Sequence, residues 1–357
     1  MVFRNLLSFK ILTLFIPLAL ALYNINIIVD MDAAHYNASA LNSRLGDFNF
    51  AAAGDWGCSA NAKNTINNII QKNPELVLGL GDYSYADSAK CWLDLISPID
   101  EKMKITLGNH DHLIYTSSTS YYSSPGLLKE YMNHFNLSKQ FYSFNFQNVH
   151  FISMSTEVPY ESNSKQYSFV KDDLKKTISD PSINWIVVFY HRLAYTSPTF
   201  IDSIRALRDT YHPLFEKYGV DLVIQGHSHN YQRTFPISFN HQDSRMPYVM
   251  DKNSTNYHNL QGQIYTIVGT AGAYDVHNFS RPAAPYTAVQ FNGFGFLNIN
   301  VLNNGTMLQG NFYENNGTIM DHFTIDKSTN NHKRSNSDSS STLSSAGTLK
   351  NVSNGNF

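Results

Sequence analysis

The chain has 357 residues, 42% of them hydrophobic, and a formal net charge of −2 at pH 7. That length buries one large core or two ordinary ones, and the near-neutral balance excludes a global electrostatic drive toward nucleic acid or an anionic surface. The 22 Tyr and 23 Phe suit a strand-rich fold.

Arg4 and Lys10 precede the apolar run ILTLFIPLALAL, and Ala19 and Ala21 form an A-x-A cleavage pattern. Residues 1–21 therefore read as a signal peptide, which implies a secreted or cell-surface protein. The run is short of the about 20 apolar residues of a bilayer span, but INIIV follows it. An uncleaved anchor is the second reading and the only route to a membrane partner. Residues 22–46 read as a linker. N-x-S/T sequons at Asn136, Asn253, Asn278, Asn304 and Asn316 are compatible with an exported glycoprotein.

From residue 47 a pattern recurs: a short apolar run ending in Gly with Asp, Asn or His. FNFAAAGDWG reaches Asp55, and ELVLGLGDYSY reaches Asp82. KITLGNHD reaches Asn109, NWIVVFYHR reaches His191, and VDLVIQGHSH reaches His227 and His229. Each run is continuously apolar, as in strands buried on both faces. Helices separate several of them. SANAKNTINNIIQKN starts at a Ser59 cap with Ile66, Ile69 and Ile70 on one face, and FIDSIRALRDTYHPLFEKYG carries Ile204, Leu207, Tyr211 and Leu214 and stops at Gly219. FYSFNFQNVHFISMS and the stretch from Phe294 read as hairpins, the latter with Asn304-Gly305 and Asn316-Gly317 turns. From Lys327 a Ser/Asn-rich tail to 357 holds too few apolar residues to offset its ordering entropy and is expected to be disordered. Cys58 and Cys91 are either two thiols or one disulfide.

The expected architecture is an α/β layered domain over 47–326, with mixed sheets whose ligands bind beyond the carboxyl ends of the strands. The polar clusters all lie at such ends and can converge. Asp55, Asp82, Tyr85, Asn109, His191, His227 and His229 offer oxygen and imidazole donors without a thiolate, a set suited to iron, zinc or manganese. Seven donors exceed one open site and suit two ions sharing a carboxylate, the clamp used for in-line displacement at phosphorus. His227 and His229, spaced i, i+2, are expected on one side of a strand end.

GDWG, GDYSY, GNHD, VFYH and GHSH, in this order, resemble the signature of the calcineurin-like metallophosphoesterases. The chain is most similar to the purple acid phosphatases, including their tartrate-resistant acid phosphatases. Tyr85 carries that distinction, because the family's Gly-Asp-x-x-Tyr tyrosinate binds ferric iron and gives the purple colour. The resemblance implies a four-layer sandwich of two mixed sheets flanked by helices. It implies Fe(III) on Asp55, Tyr85 and His229, a divalent ion (Fe(II), Zn or Mn) on Asn109, His191 and His227, and Asp82 bridging. His110 would face the substrate and protonate the leaving oxygen, Asp111 would orient His191 or another imidazole, and His112 would line the pocket. Arg233 would serve in a structural ion pair. Plant purple acid phosphatases carry a β-sandwich domain before the catalytic one and extra histidines near the phosphate. About 25 residues separate the A-x-A cleavage pattern from the first core strand, too few for such a domain, and RLAYTSPTF lacks those histidines.

The expected function is hydrolysis of small phosphate monoesters by a metal-bound hydroxide. A phosphodiesterase or nucleotidase of the same superfamily is the nearest rival, and a silent surface-binding protein on this fold is the other.

Overall fold

In the first core strand Phe48, Phe50 and Ala52 point to one face and Ala51 and Ala53 to the other. A strand apolar on both faces needs a packed layer on each side. The computed structural model, which describes residues 46–115 and 121–328, supplies both layers. The signal-peptide and linker readings and nearly all of the tail fall outside those residues.

The chain runs β1 (Phe48–Ala53), α1 (Ala60–Lys72), β2 (Leu76–Gly79), α2 (Lys90–Ile96), β3 (Met103–Ile105), the hairpin β4 (Leu113–Tyr115) and β5 (Tyr121–Ser123), and α3 (Pro125–His134). It continues through β6 (Tyr142–Phe146), β7 (Val149–Ser153), α4 (Lys165–Thr177), β8 (Trp185–Tyr190), α5 (Arg205–Lys217), β9 (Leu222–Gln225), β10 (Tyr231–Thr234) and the short pair β11 (Ile237–Ser238) and β12 (Tyr248–Val249). It ends with β13 (Asn256–His258), β14 (Ile264–Val268), β15 (Thr287–Phe291), β16 (Gly295–Leu302), β17 (Met307–Glu314) and β18 (Ile319–Asp326).

Two seven-stranded sheets result, in the orders β13-β18-β17-β16-β1-β2-β3 and β15-β10-β14-β9-β8-β7-β6. Both are mixed: β1, β2 and β3 run parallel, as do β7, β8, β9 and β14, while β16, β17 and β18 form an antiparallel meander. Phe50, Leu78, Phe151, Val187 and Ile224 fill the layer between the sheets. α1, α2 and α3 cover the first sheet through Ile66, Trp92 and Leu127, and α4 and α5 cover the second through Val170, Leu207 and Phe215. This is the expected four-layer sandwich.

Local signals account for most boundaries. Ser59 caps α1, accepting from the Ala62 amide. Ile66 and Ile69 are buried as expected, but Ile70 is 39% exposed, because the contact stripe of α1 is too narrow to reach it. Helix α5 ends before Gly219, whose φ of +62° a side chain would disfavour. Helices α2, α3 and α4 had no singled-out signal. α4 nevertheless has a Ser164 cap and buries Val170 and Leu174 at helical spacing, and α3 opens on Pro125. Cys58 and Cys91 are joined in a disulfide, with Cα atoms 6.0 Å apart. Lys327, grouped with the tail on sequence, is docked instead: its Nζ pairs with Asp221 and donates to the Asn184 carbonyl. Arg233 forms the expected ion pair, a buried fork onto Asp321 at 2.6 and 2.8 Å. Among the described residues no helix is long and apolar enough to cross a membrane.

A buried polar group in this scaffold sets a pH limit. The Tyr195 hydroxyl lies 2.6 Å from His212 Nδ1, and His212 Nε2 lies 3.0 Å from Gln263 Oε1. Burial depresses the imidazole to about 4, with Glu216 opposing. The folded value lies below the ordinary 6.5, so the unfolded chain takes the proton first. The stability it contributes is complete above pH 6.5 and is lost as pH falls toward 4, by about 3 kcal/mol. The urea midpoint of the wild type should fall across this window, and His212→Asn should flatten that part of the profile.

Candidate metal centre

Five strand ends deliver the candidate residues to one place. Asp55 follows β1, Asp82 and Tyr85 follow β2, Asn109 follows β3, His191 follows β8, and His227 and His229 follow β9. The loops are zipped by backbone bonds: the Asp55 amide donates to the Gly81 carbonyl and the Trp56 amide to the Asp82 carbonyl. Gly81 and Gly108 allow this closeness. A Cβ on Gly81 would sit 2.6 Å from the Gly108 nitrogen, and one on Gly108 would overlap the Asp82 carboxylate.

The scaffold fixes one atom of most candidate side chains and leaves the other pointing inward. His191 Nδ1 donates to the Leu80 carbonyl, leaving Nε2 free. Asp55 Oδ2 accepts the His227 amide at 2.7 Å, leaving Oδ1. Asp82 Oδ1 accepts the His110 amide at 2.8 Å, leaving Oδ2. His229 Nδ1 donates to Asp275, leaving Nε2.

The inward atoms form two groups. In one, the Tyr85 hydroxyl lies 3.2 Å from Asp55 Oδ1 and 3.0 Å from His229 Nε2, and His229 Nε2 lies 3.4 Å from Asp55 Oδ1. In the other, His191 Nε2 lies 3.2 Å from Asn109 Oδ1 and 3.1 Å from His227 Nδ1. Asp82 Oδ2 stands between them, 3.5 Å from the Tyr85 hydroxyl and 3.1 Å from His191 Nε2.

These groups fit cations. Bonds of about 2.1 Å put neighbouring donors about 3.0 Å apart in an octahedron and about 3.4 Å apart in a tetrahedron, the spacings observed. Tyr85 brings one hydroxyl to the point where Asp55 Oδ1, Asp82 Oδ2 and His229 Nε2 converge, and His191 Nε2 faces the oxygens of Asn109 and Asp82. Without a cation the protons are held tightly. Burial and then the Asp55 and Asp82 charges push the Tyr85 phenol well above 10. Burial alone would lower His191, but the Asp82 carboxylate outweighs it and raises the imidazole to about 9. Burial alone would raise Asp82, yet His191 and His110 hold it far below the usual carboxylate range. A bound cation reverses this logic by taking the place of the protons.

Two expectations change. His227 and His229 do not share a strand face. Both lie past the end of β9, His227 has φ +69°, and the two rings serve different groups. Residues 109–111 form a 3-10 turn, which carries His110 to the site. Its ring packs on Tyr85 at 4.4 Å. Asp111 does not orient an imidazole; the Leu80 carbonyl does that for His191. Asp111 instead accepts the amides of Gly108, Asp82 and Tyr83 at 2.8, 2.9 and 3.0 Å, binding two ligand loops together. Burial and Asp82 raise its carboxyl above the usual range, against the pull of those amides. His112 is half-buried at the end of the turn, and its Nε2 has no hydrogen-bond partner among the described residues. Asp55, Asp82 and Tyr85 share positive φ with His227, at 59°, 54° and 52°.

Residues 48–231 match the family profile of the calcineurin-like phosphoesterases, and residues 262–322 match that of the iron/zinc purple acid phosphatase-like protein C domain. The chain belongs to the calcineurin-like phosphoesterases, in the purple acid phosphatase group. It is 27% identical over 270 residues to Purple acid phosphatase 21 of Arabidopsis thaliana, covering 71% of this chain and 57% of the relative. It is also 27% identical over 286 residues to an Arabidopsis thaliana relative named "Probable inactive purple acid phosphatase 27", covering 73% and 45%. This phosphatase-group chain thus spans about half the length of the curated relatives it matches. The solved purple acid phosphatase PPD1 from yellow lupin superposes with a TM-score of 0.67 at 24% identity, over 79% of this chain and 54% of the other, a likeness of fold.

Two residues escaped the sequence reading. Asp275 and His277, in the loop after β14, stand against His229. Their loop follows no apolar strand ending in Gly-Asp or Gly-His, so no signal marked them.

Proposed function

We propose that this chain is a binuclear acid phosphatase for small phosphate monoesters. Asp55, Tyr85 and His229 hold Fe(III), Asn109, His191 and His227 hold Fe(II), Zn or Mn, and Asp82 bridges them. The observation that carries this reading is the position of Asp82 Oδ2 between the two donor groups. Two ions there would supply positive charge for the phosphate oxygens and acidify a water into the nucleophile. The chain's own part is to orient both reactants. His110, partly exposed beside Tyr85, is placed to give a proton to the leaving oxygen. His112 lines the same pocket, its imidazole lowered by burial with Glu157 and Asp82 opposing. The Cys58–Cys91 bond fits the oxidising compartment expected of an exported protein.

Metal analysis with a visible spectrum of the purified protein tests this directly. Two ions per chain and a purple band are expected, and Tyr85→Phe should bleach the band while leaving most of the metal. A band that survives in Tyr85→Phe means another group binds the iron. Faster turnover of bis(p-nitrophenyl) phosphate than of the monoester would favour the phosphodiesterase reading. Two ions with neither ester cleaved would favour a silent binding protein; one relative is named a probable inactive purple acid phosphatase.

A further inference from the structure

His229 is held from three sides by residues that no part of the proposed chemistry uses. Its Nδ1 lies 2.9 Å from Asp275 Oδ1 and 3.0 Å from the Asp275 carbonyl. Its ring lies flat on His277, with centroids 3.9 Å apart and planes 15° apart. Its backbone amide donates to His277 Nδ1 at 3.0 Å, and the His277 amide donates back to the His229 carbonyl at 3.1 Å. Asn230, next to His229 in the chain, donates from Nδ2 to the His277 carbonyl and ties the loop to the same segment.

These bonds settle the tautomers. The His229 amide can only donate, so His277 Nδ1 carries its lone pair and Nε2 carries the proton, facing Asp275 Oδ2 at 3.5 Å. His277 therefore has no lone pair to offer a metal, although His229, Asp275 and His277 cluster closely enough to suggest a third ion. Likewise His229 has its proton on Nδ1 and presents Nε2 to Asp55 and Tyr85.

We propose that Asp275 and His277 are positioning residues that lock the His229 ring and set its donor strength toward the ion shared with Asp55 and Tyr85. This rests on the metal reading above. A carboxylate accepting the outer N–H of a ligand imidazole makes the inner nitrogen more basic. The ion then receives more electron density and accepts less from the Tyr85 phenolate. The stack on His277 prevents the ring from turning away.

Asp275→Ala leaves the backbone carbonyl to accept from His229, so the ligand stays while its donation weakens. In iron-loaded protein the band should move to longer wavelength, and chelator competition should show iron held about 10-fold less tightly. The Asp275 side chain is 67% exposed, so the melting midpoint of the metal-free chain should stay within about a degree of wild type. A purely structural role would move the midpoint and leave the band in place. His277→Phe keeps a ring against His229 and removes the acceptor for its amide; it should weaken iron in the same direction. An unchanged band and affinity in Asp275→Ala would overturn the positioning role while the wild-type colour upholds the metal reading. Wild-type protein without a ferric band would remove both.

Discussion

Asp82→Asn should leave the chain folded and strip it of both ions. The amide keeps Oδ1 as an acceptor for His110, so the 3-10 turn retains its anchor. Oδ2 becomes an NH2 that donates where a negative oxygen stood between Tyr85 and His191. A neutral donor cannot bridge two cations, and the groups on either side lose their shared charge. Metal content should fall from two ions per chain to less than one, and the rate by more than about 10³-fold. Mass spectrometric metal analysis of the purified variant, beside its circular dichroism, decides the point. Two retained ions would mean that the bridge lies elsewhere.

The second large effect concerns folding. Asp111→Ala should destabilise the protein by about 3–5 kcal/mol, because it orphans three buried amides at once. Each bereft amide costs about 1–3 kcal/mol, with some relief where the loops relax. Against an ordinary net stability of about 5–15 kcal/mol this is a large fraction, and the melting midpoint should drop by roughly 10 °C. Asp111→Asn keeps one acceptor oxygen and should lose about half as much. A calorimetric midpoint within a degree of wild type for Asp111→Ala would show that water or backbone movement satisfies those amides. Loss of metal should accompany loss of stability, because the same carboxylate ties the Asp82 loop to the Asn109 loop.

The strand ends were legible because burial on both faces leaves continuous apolar runs, and a run that stops in Gly-Asp or Gly-His has few other uses. Asp55, Asp82, Asn109 and His191 could be placed from that pattern alone. What the pattern could not give was rotation about the last few bonds. His227 and His229 look equivalent at i, i+2, but the left-handed turn at His227 sends their rings into different groups. Asp111 looked like a partner for an imidazole because carboxylates beside histidines often are. Its three amide partners are backbone atoms, which carry no sequence signal. Asp275 and His277 lie 46 and 48 residues past His229 and are brought to it by the β10–β14–β15 pairing. Such long-range closure is set by the whole sheet rather than by any local motif. Ile70 shows the smaller error: helical spacing gives the face, but the width of the buried stripe depends on the partner.

The left-handed backbone at Asp55, Asp82, Tyr85 and His227 has a cost that outlasts folding. L-residues there sit about 1 kcal/mol or more above their relaxed conformations, and glycine would not. The cluster also crowds carboxylates and imidazoles that hold protons tightly in the absence of a cation. At Asp55 and Asp82 glycine would relieve that strain but orphan the His227 and His110 amides, a larger loss. The same two carboxylates thus keep the bent backbone in place and aim their other oxygens inward, so neither half of that arrangement can be relaxed alone.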